Sequence, residues 1–192
     1  MAGMAAELRT ETLPYGRPLV RADLEALRET LPDDGHRYEL IDGVLIVTPS
    51  PVPAHQRAVV RLIVLLTRRC PPGQEVFVAP LDVDLAEDTV LEPDVLVVAK
   101  EQIGEHHIAG PPLLAIEVLS PSTRRIDLLL KRSRLESAGC PSYWVIDPDQ
   151  VSVQGWELID GKYVDAGSAQ GDELIEFGQP FPISFRPQKL FD

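Results

Sequence analysis

Two carboxylates carry the most distinctive chemistry this chain can offer. Asp94 lies within Leu91-Glu92-Pro93-Asp94-Val95-Leu96-Val97-Val98, and Glu117 within Leu113-Leu114-Ala115-Ile116-Glu117-Val118-Leu119-Ser120. Short runs rich in branched apolar residues read as strands buried on both faces. An ionised carboxylate in such a run is unfavourable unless it is paired, hydrogen-bonded or bound to a metal. Two of them, on runs able to lie side by side, predict a shared cation. Hard carboxylate oxygens suit Mg²⁺ or Mn²⁺, and Mg²⁺ commonly takes one or two carboxylates while keeping several waters. Such an ion polarises a phosphoryl oxygen and lowers the pKa of bound water. A neighbouring lysine would stabilise the negative charge that develops.

Lys131 is the candidate lysine. It lies four residues after Asp127 and shares a helical stripe with Leu128 and Leu135. Its ordinary reading is an i,i+4 pair with Asp127, contributing a few tenths of a kcal/mol; the other is an amine turned inward towards Glu117. Both stand at this point. His55 falls on the buried stripe of its helix, where a satisfied core histidine is commoner than a water-activating one. Glu92 shares a strand face with Asp94, but acids at strand ends are usually solvated. Asp82 and Asp84 alternate towards one face and read as surface. His106-His107 beside Glu101 and Glu105 lacks metal-ligand spacing. Neither a phosphate-cradling glycine loop nor a G-x-S-x-G elbow occurs.

The elements that must position these groups follow from periodicity. Residues 1–17 read as a loose arm and residues 18–192 as one domain. A helix is expected over 23–31, with Leu24, Leu27 and Leu31 on one face. Strands over 37–41 and 44–48 flank Asp42-Gly43, a strong hairpin signal. A helix over 54–69 buries His55, Val59, Leu62 and Leu66, and Pro71-Pro72-Gly73 ends it. An alternating segment over 75–85 reads as one strand bent near Pro80. The Asp94 and Glu117 strands come next. Ser120-Pro121-Ser122-Thr123 caps a helix over 124–138, closed by Gly139. A strand over 142–147, a hairpin around Asp160-Gly161 and a proline-rich, strand-like tail complete the chain. One sheet with helices packed against it is the economical arrangement, an α/β (α+β) fold.

Composition sets the outer bounds. The chain has 192 residues, enough to bury about two-thirds of its unfolded surface in a single domain. No run approaches the roughly 20 apolar residues of a membrane span, and no signal peptide is recognisable, so a cytoplasmic protein is expected. Cys70 and Cys140 are too few and too distant for a zinc cluster and read as free thiols. A net charge of −12 argues against indiscriminate nucleic-acid binding. The charge is uneven: between Pro121 and Cys140, five bases face two acids, whereas from Tyr143 onward three bases face nine acids.

The order of motifs resembles a known family. Pro93-Asp94, then Glu117-Val118-Leu119-Ser120-Pro121-Ser122, then Asp127 with Lys131, then Gly139-Cys140-Pro141-Ser142-Tyr143-Trp144-Val145-Ile146-Asp147 is similar to the bacterial restriction-endonuclease-like Uma-two family. That family is a branch of the PD-(D/E)xK nuclease superfamily. Tyr38-Glu39-Leu40-Ile41-Asp42-Gly43, and Pro49-Ser50-Pro51 followed by His55, are similar to its N-terminal motifs. The resemblance implies a restriction-endonuclease-like core of order α-β-β-β-α-β, a mixed sheet flanked by helices, with added N- and C-terminal hairpins. It implies that Asp94 and Glu117 are the metal carboxylates. Leu119 stands where the superfamily has its motif lysine, so Lys131, from the following helix, would replace it. Glu39 would add a carboxylate near the metal; its plain reading is a polar residue on a half-exposed hairpin strand.

Three functions compete. The first is a Mg²⁺- or Mn²⁺-dependent endonuclease acting on DNA, with catalytic residues Asp94, Glu117, Lys131, Glu39 and His55, and with Arg124 and Arg125 on the phosphate backbone. The second is a catalytically inactive interaction or regulatory module on the same fold; an arginine on each acid would favour it. The third is a metal-dependent hydrolase of RNA or a small phosphoester. A homodimer is expected, because an acidic protein meets DNA more readily when two copies arrange a local basic face.

Overall fold

The computed structural model describes Pro14, residues 16–31 and residues 35–192. Most of the arm expected over residues 1–17 therefore lies outside the described residues. Helix α1, Arg21–Thr30, buries Leu24 and Leu27. The hairpin forms with its expected limits: β1 Arg37–Ile41 pairs with β2 Val44–Thr48 across Asp42-Gly43, both at positive φ. Helix α2, Pro53–Thr67, starts on a proline, whose missing N–H is no loss in a first turn, and buries His55, Ala58, Val59, Leu62 and Leu66.

The segment expected as one bent strand is two strands in two sheets. Residues Gln74–Val78 form β3 and Asp82–Ala86 form β4. The chain crosses between the sheets at Pro80, which has no N–H to give to a ladder. Pro93 acts likewise on the Asp94 run, separating β5, Thr89–Leu91, from β6, Val95–Ala99. Strands β7, His107–Ala109, and β8, Leu114–Val118, follow, then β9, Ser142–Asp147. The long hairpin is β10, Ser152–Ile159, with β11, Lys162–Gln170; the tail forms β12, Ile175–Phe177, with β13, Ile183–Phe185.

A six-stranded mixed sheet runs β11-β10-β9-β8-β6-β3, and a five-stranded sheet runs β2-β1-β5-β4-β7. The expected core order is present in α2, β3, β6, β8, the helix after β8, and β9. The second sheet is the departure from the single sheet expected. Side chains of β8 alternate between two cores. Ile116 and Val118 join Leu62 and Leu66 of α2, whereas Ala115 and Leu119 join Leu135 and Tyr143. Leu96 and Val98 of β6 pack on Val83 and Ile108 of the second sheet.

The helix expected over 124–138 is half regular. Ile126–Lys131 is a π-helix, and α3 is Arg132–Ala138, ended by Gly139 at φ 87°. The Arg132 N–H reaches back five residues to the Asp127 carbonyl, which also accepts the Tyr143 hydroxyl at 2.9 Å. This wider turn leaves both Asp127 and Lys131 pointing inward and buried, and such turns recur at functional sites.

Candidate active site

The register between β6 and β8 brings the two acids level. Their last pair is Val95 with Ile116, so Asp94 stands one step beyond, opposite Glu117. The Asp94 carbonyl still accepts the Ala79 N–H at 3.2 Å, and on the β8 side the Asp94 side chain makes the contact. Oδ2 accepts the Val118 N–H at 2.8 Å and lies 3.0 Å from His55 Nε2. Oδ1 accepts from Arg37 Nη1 at 2.7 Å. Burial alone would raise this acid; the His55 hydrogen bond, the Arg37 charge and the Val118 N–H outweigh burial and hold it at about 2.

Glu117 meets the lysine. Lys131 Nζ donates to Glu117 Oε1 at 3.0 Å and sits 2.9 Å from Glu39 Oε1 and 3.6 Å from Asp127 Oδ1. None of these four side chains lies on a solvated face: Glu39 is 0 % exposed and the other three are each 2 % exposed. Glu39 comes from β1, Glu117 from β8 and Asp127 with Lys131 from the π-helix, so the ammonium joins three elements across both sheets. Its i,i+4 pair with Asp127 is the longest of its three contacts.

Charge does not balance here. With histidine counted as neutral, Glu39, Asp94, Glu117 and Asp127 form ion pairs with Arg37 and Lys131 alone among the described residues, so full ionisation of all four would leave two surplus negative charges. Burial, with Asp127, Asp94 and Glu39 adding to it, pushes Glu117 well above the usual carboxylate range against the pull of Lys131. Asp127 is raised chiefly by burial. Burial would lower Lys131, but Glu117, Glu39 and Asp127 hold it well above its ordinary value. Glu39 Oε2 and Asp127 Oδ1 are buried without a hydrogen-bond partner. Two protons or one divalent cation would cancel the surplus. The donor set of hard oxygens fits Mg²⁺ or Mn²⁺ on two carboxylates. Among the described residues, no group of three or more His, Cys, Asp or Glu could hold a metal. In this structure the cations on the two acids are an arginine and a lysine.

A cleft of about 680 Å³ opens onto Asp94 and is lined in part by Arg28, Arg37, Tyr38, His55 and Glu92. Glu92, expected to be solvated, is buried. It is pushed up to about 7 by burial against the pull of Arg28, which contacts it at 2.5 Å, and its N–H donates to Glu39 Oε1 at 2.7 Å. Asp82 and Asp84, expected at the surface, are half-buried and paired with Arg28 and Arg21. His106 is exposed at the cleft rim. Arg124 is held by Asp147 Oδ2 at 2.7 Å, whereas Arg125 is exposed. The residue that sequence reasoning missed is Arg37. Its signal was its spacing: Arg37 and Glu39 are two apart on one strand, so both turn to the same face.

The family model described as "Uma2: Putative restriction endonuclease" matches residues 23–188. Among solved structures, the chain is similar to "a putative nuclease belonging to DUF820" from Anabaena variabilis ATCC 29413. Identity is 21 %, the TM-score is 0.66, and the match covers 86 % of this chain and 96 % of that one. No curated protein matches.

Proposed function

The chain belongs to the Uma2 family of putative restriction endonucleases, and from that premise we propose that it is a divalent-metal-dependent endonuclease hydrolysing phosphodiester bonds in DNA. The observation that carries this reading is the set of four buried carboxylates, Asp94, Glu117, Glu39 and Asp127, paired with only two cations, Arg37 and Lys131, with Asp94 lining an open cleft. Asp94 and Glu117 would hold Mg²⁺ or Mn²⁺, and the ion would supply Lewis-acid polarisation of a phosphoryl oxygen and a more acidic water. His55 and the Val118 N–H fix the Asp94 carboxylate in place. Lys131 keeps its proton, because three acids surround it, and so presents a positive charge for the negative charge that builds up during hydrolysis. Arg37, which lines the cleft beside Asp94, would meet a phosphate there with its guanidinium charge. Plasmid cleavage with Mg²⁺ or Mn²⁺, run beside D94N, E117Q and K131M, tests the reading. Loss of cleavage in all three variants is expected, and equal cleavage by wild type and variants refutes it.

One observation favours a second reading, a non-catalytic module on the same fold: both Asp94 oxygens are already engaged by Arg37, His55 and Val118. Calorimetry separates the two. The nuclease reading expects Mn²⁺ binding that D94N and E117Q abolish; the module reading expects none. A homodimer through the exposed edge strand β2, where Val44 is 59 % and Val47 is 42 % exposed, goes with the nuclease reading; light scattering that finds only the 21.2 kDa monomer refutes it.

A further inference from the structure

Helix α2 has a second face that the site does not use. Its buried stripe is His55, Val59, Leu62 and Leu66. At 3.6 residues per turn, Arg57, Arg61, Val64 and Arg68 form a stripe about half a turn away, and all four are exposed. Arg69 follows directly. No acid occurs between Asp42 and Glu75, in a chain with 30 acids. Elsewhere the arginines are mostly committed: Arg17, Arg21, Arg28, Arg37, Arg124 and Arg134 each hold a carboxylate. Among the described residues, Arg57, Arg68 and Arg69 form no ion pair. Arg61 donates only to the Asp192 carbonyl, and the Asp192 carboxylate is taken by Lys189. A hollow of about 240 Å³ lies between Arg61, Arg68, Arg69 and Lys189, over Leu65 and Leu190.

We infer that the outer face of α2 is the surface that tracks a nucleic-acid phosphate backbone and leads it to the cleft. This inference rests on the nuclease reading for the identity of the polyanion. Arg57, Arg68 and Arg69, left without acids on a protein of charge −12, keep their full attraction for phosphate, and Arg61, beside Asp192, keeps part of it. The arginine face begins next to the site, because the exposed Gln56, immediately before Arg57, lines the cleft at Asp94. From Arg57 to Arg68 the stripe runs about 17 Å at 1.5 Å per residue, or about five base-pair rises of duplex. The surface needs no base contacts, so it draws in DNA without choosing a sequence.

The test is fluorescence-anisotropy titration of a labelled DNA duplex in EDTA, across a salt series, with wild type, R57Q/R61Q/R68Q and R124Q/R125Q. Wild type should bind, and its log-affinity should fall linearly with log-salt. The α2 variant should flatten that slope by roughly 3, one for each arginine withdrawn from a phosphate, and bind at least about tenfold more weakly at moderate salt. The R124Q/R125Q variant should change the slope less. Equal slopes for wild type and the α2 variant overturn the inference, as does failure of wild type to bind DNA. Binding of α2 to anionic phospholipid vesicles in place of DNA overturns it too. Plasmid cleavage read in parallel keeps the two claims apart. A flattened slope without cleavage by wild type removes the nuclease and leaves the surface. Unchanged binding by the α2 variant, with cleavage intact, does the reverse.

Discussion

Replacing Lys131 by methionine keeps the unbranched stem up to the Cε position and removes the one cation shared by Glu39, Glu117 and Asp127. At 2.9 and 3.0 Å the two shorter contacts are full charge-assisted hydrogen bonds, and both partners are buried. Breaking a buried pair by removing one partner destabilises by about 3–5 kcal/mol, because the remaining charge has nothing to offset it. For a chain of this length each kcal/mol lowers the Tm by about 2–4 °C, so K131M should melt roughly 6–20 °C below wild type. The loss should be smaller at about pH 5 than at about pH 8. Glu117 and Asp127, already raised, take up protons at the lower pH and so lose the charges that Lys131 held. Saturating Mn²⁺ should return part of the loss, about 2.7 kcal/mol at a hundredfold excess over Kd. It should stabilise K131M more than wild type, since the surplus of negative charge has grown by one. Thermal melts of both proteins, with and without Mn²⁺ at the two pH values, make the measurement. A variant melting within about 2 °C of wild type, with no response of either protein to Mn²⁺, would refute the account of a cation-starved pocket.

Three further outcomes follow from the same geometry. Metal binding should release protons and strengthen as pH rises, because Glu117 is raised and must lose its proton to the solvent before it can hold the ion; calorimetry in buffers of differing ionisation enthalpy reads the number released. Glu92, pushed up to about 7 from an ordinary value of 4.5, binds more protons in the folded than in the unfolded chain between those values. Its contribution to stability is therefore present below about pH 4.5 and lost as pH rises through about 7, and E92Q should flatten urea-measured stability over that window. Finally, the buried Cys140 thiol is pushed up to about 11 by burial, while Cys70 is half-buried and less enclosed. A thiol reagent should modify one cysteine in the native protein and the second only after unfolding; two equally fast thiols would contradict this.

Local signals carried the chain far. Asp42-Gly43 fixed a hairpin, the spacing of His55, Val59, Leu62 and Leu66 fixed a helix and its inner face, and Gly139 fixed a stop. Asp94 and Glu117 could be paired because both sit in apolar runs that have no other reason to hold an acid. What stayed hidden depends on contacts between distant segments. Pro80 and Pro93 mark breaks in the sequence, but nothing local says that the chain changes sheets there rather than bending. The closing of one sheet over the other buries Glu39 and brings Arg37 to Asp94, and no periodicity encodes it. The π-helix was equally opaque, since the residues from Ile126 to Lys131 have ordinary helical preferences. The Tyr143 hydroxyl on the Asp127 carbonyl, sixteen residues away in sequence, and the inward contacts of Lys131 with Glu39 and Glu117 engage this turn from distant segments.

Lys131 lies far along the chain from Glu39, and the ammonium has to reach back across both layers to meet it. A chain still being synthesised therefore carries Glu39 long before the base that reconciles it, and this pocket can close only after the π-helix has been made.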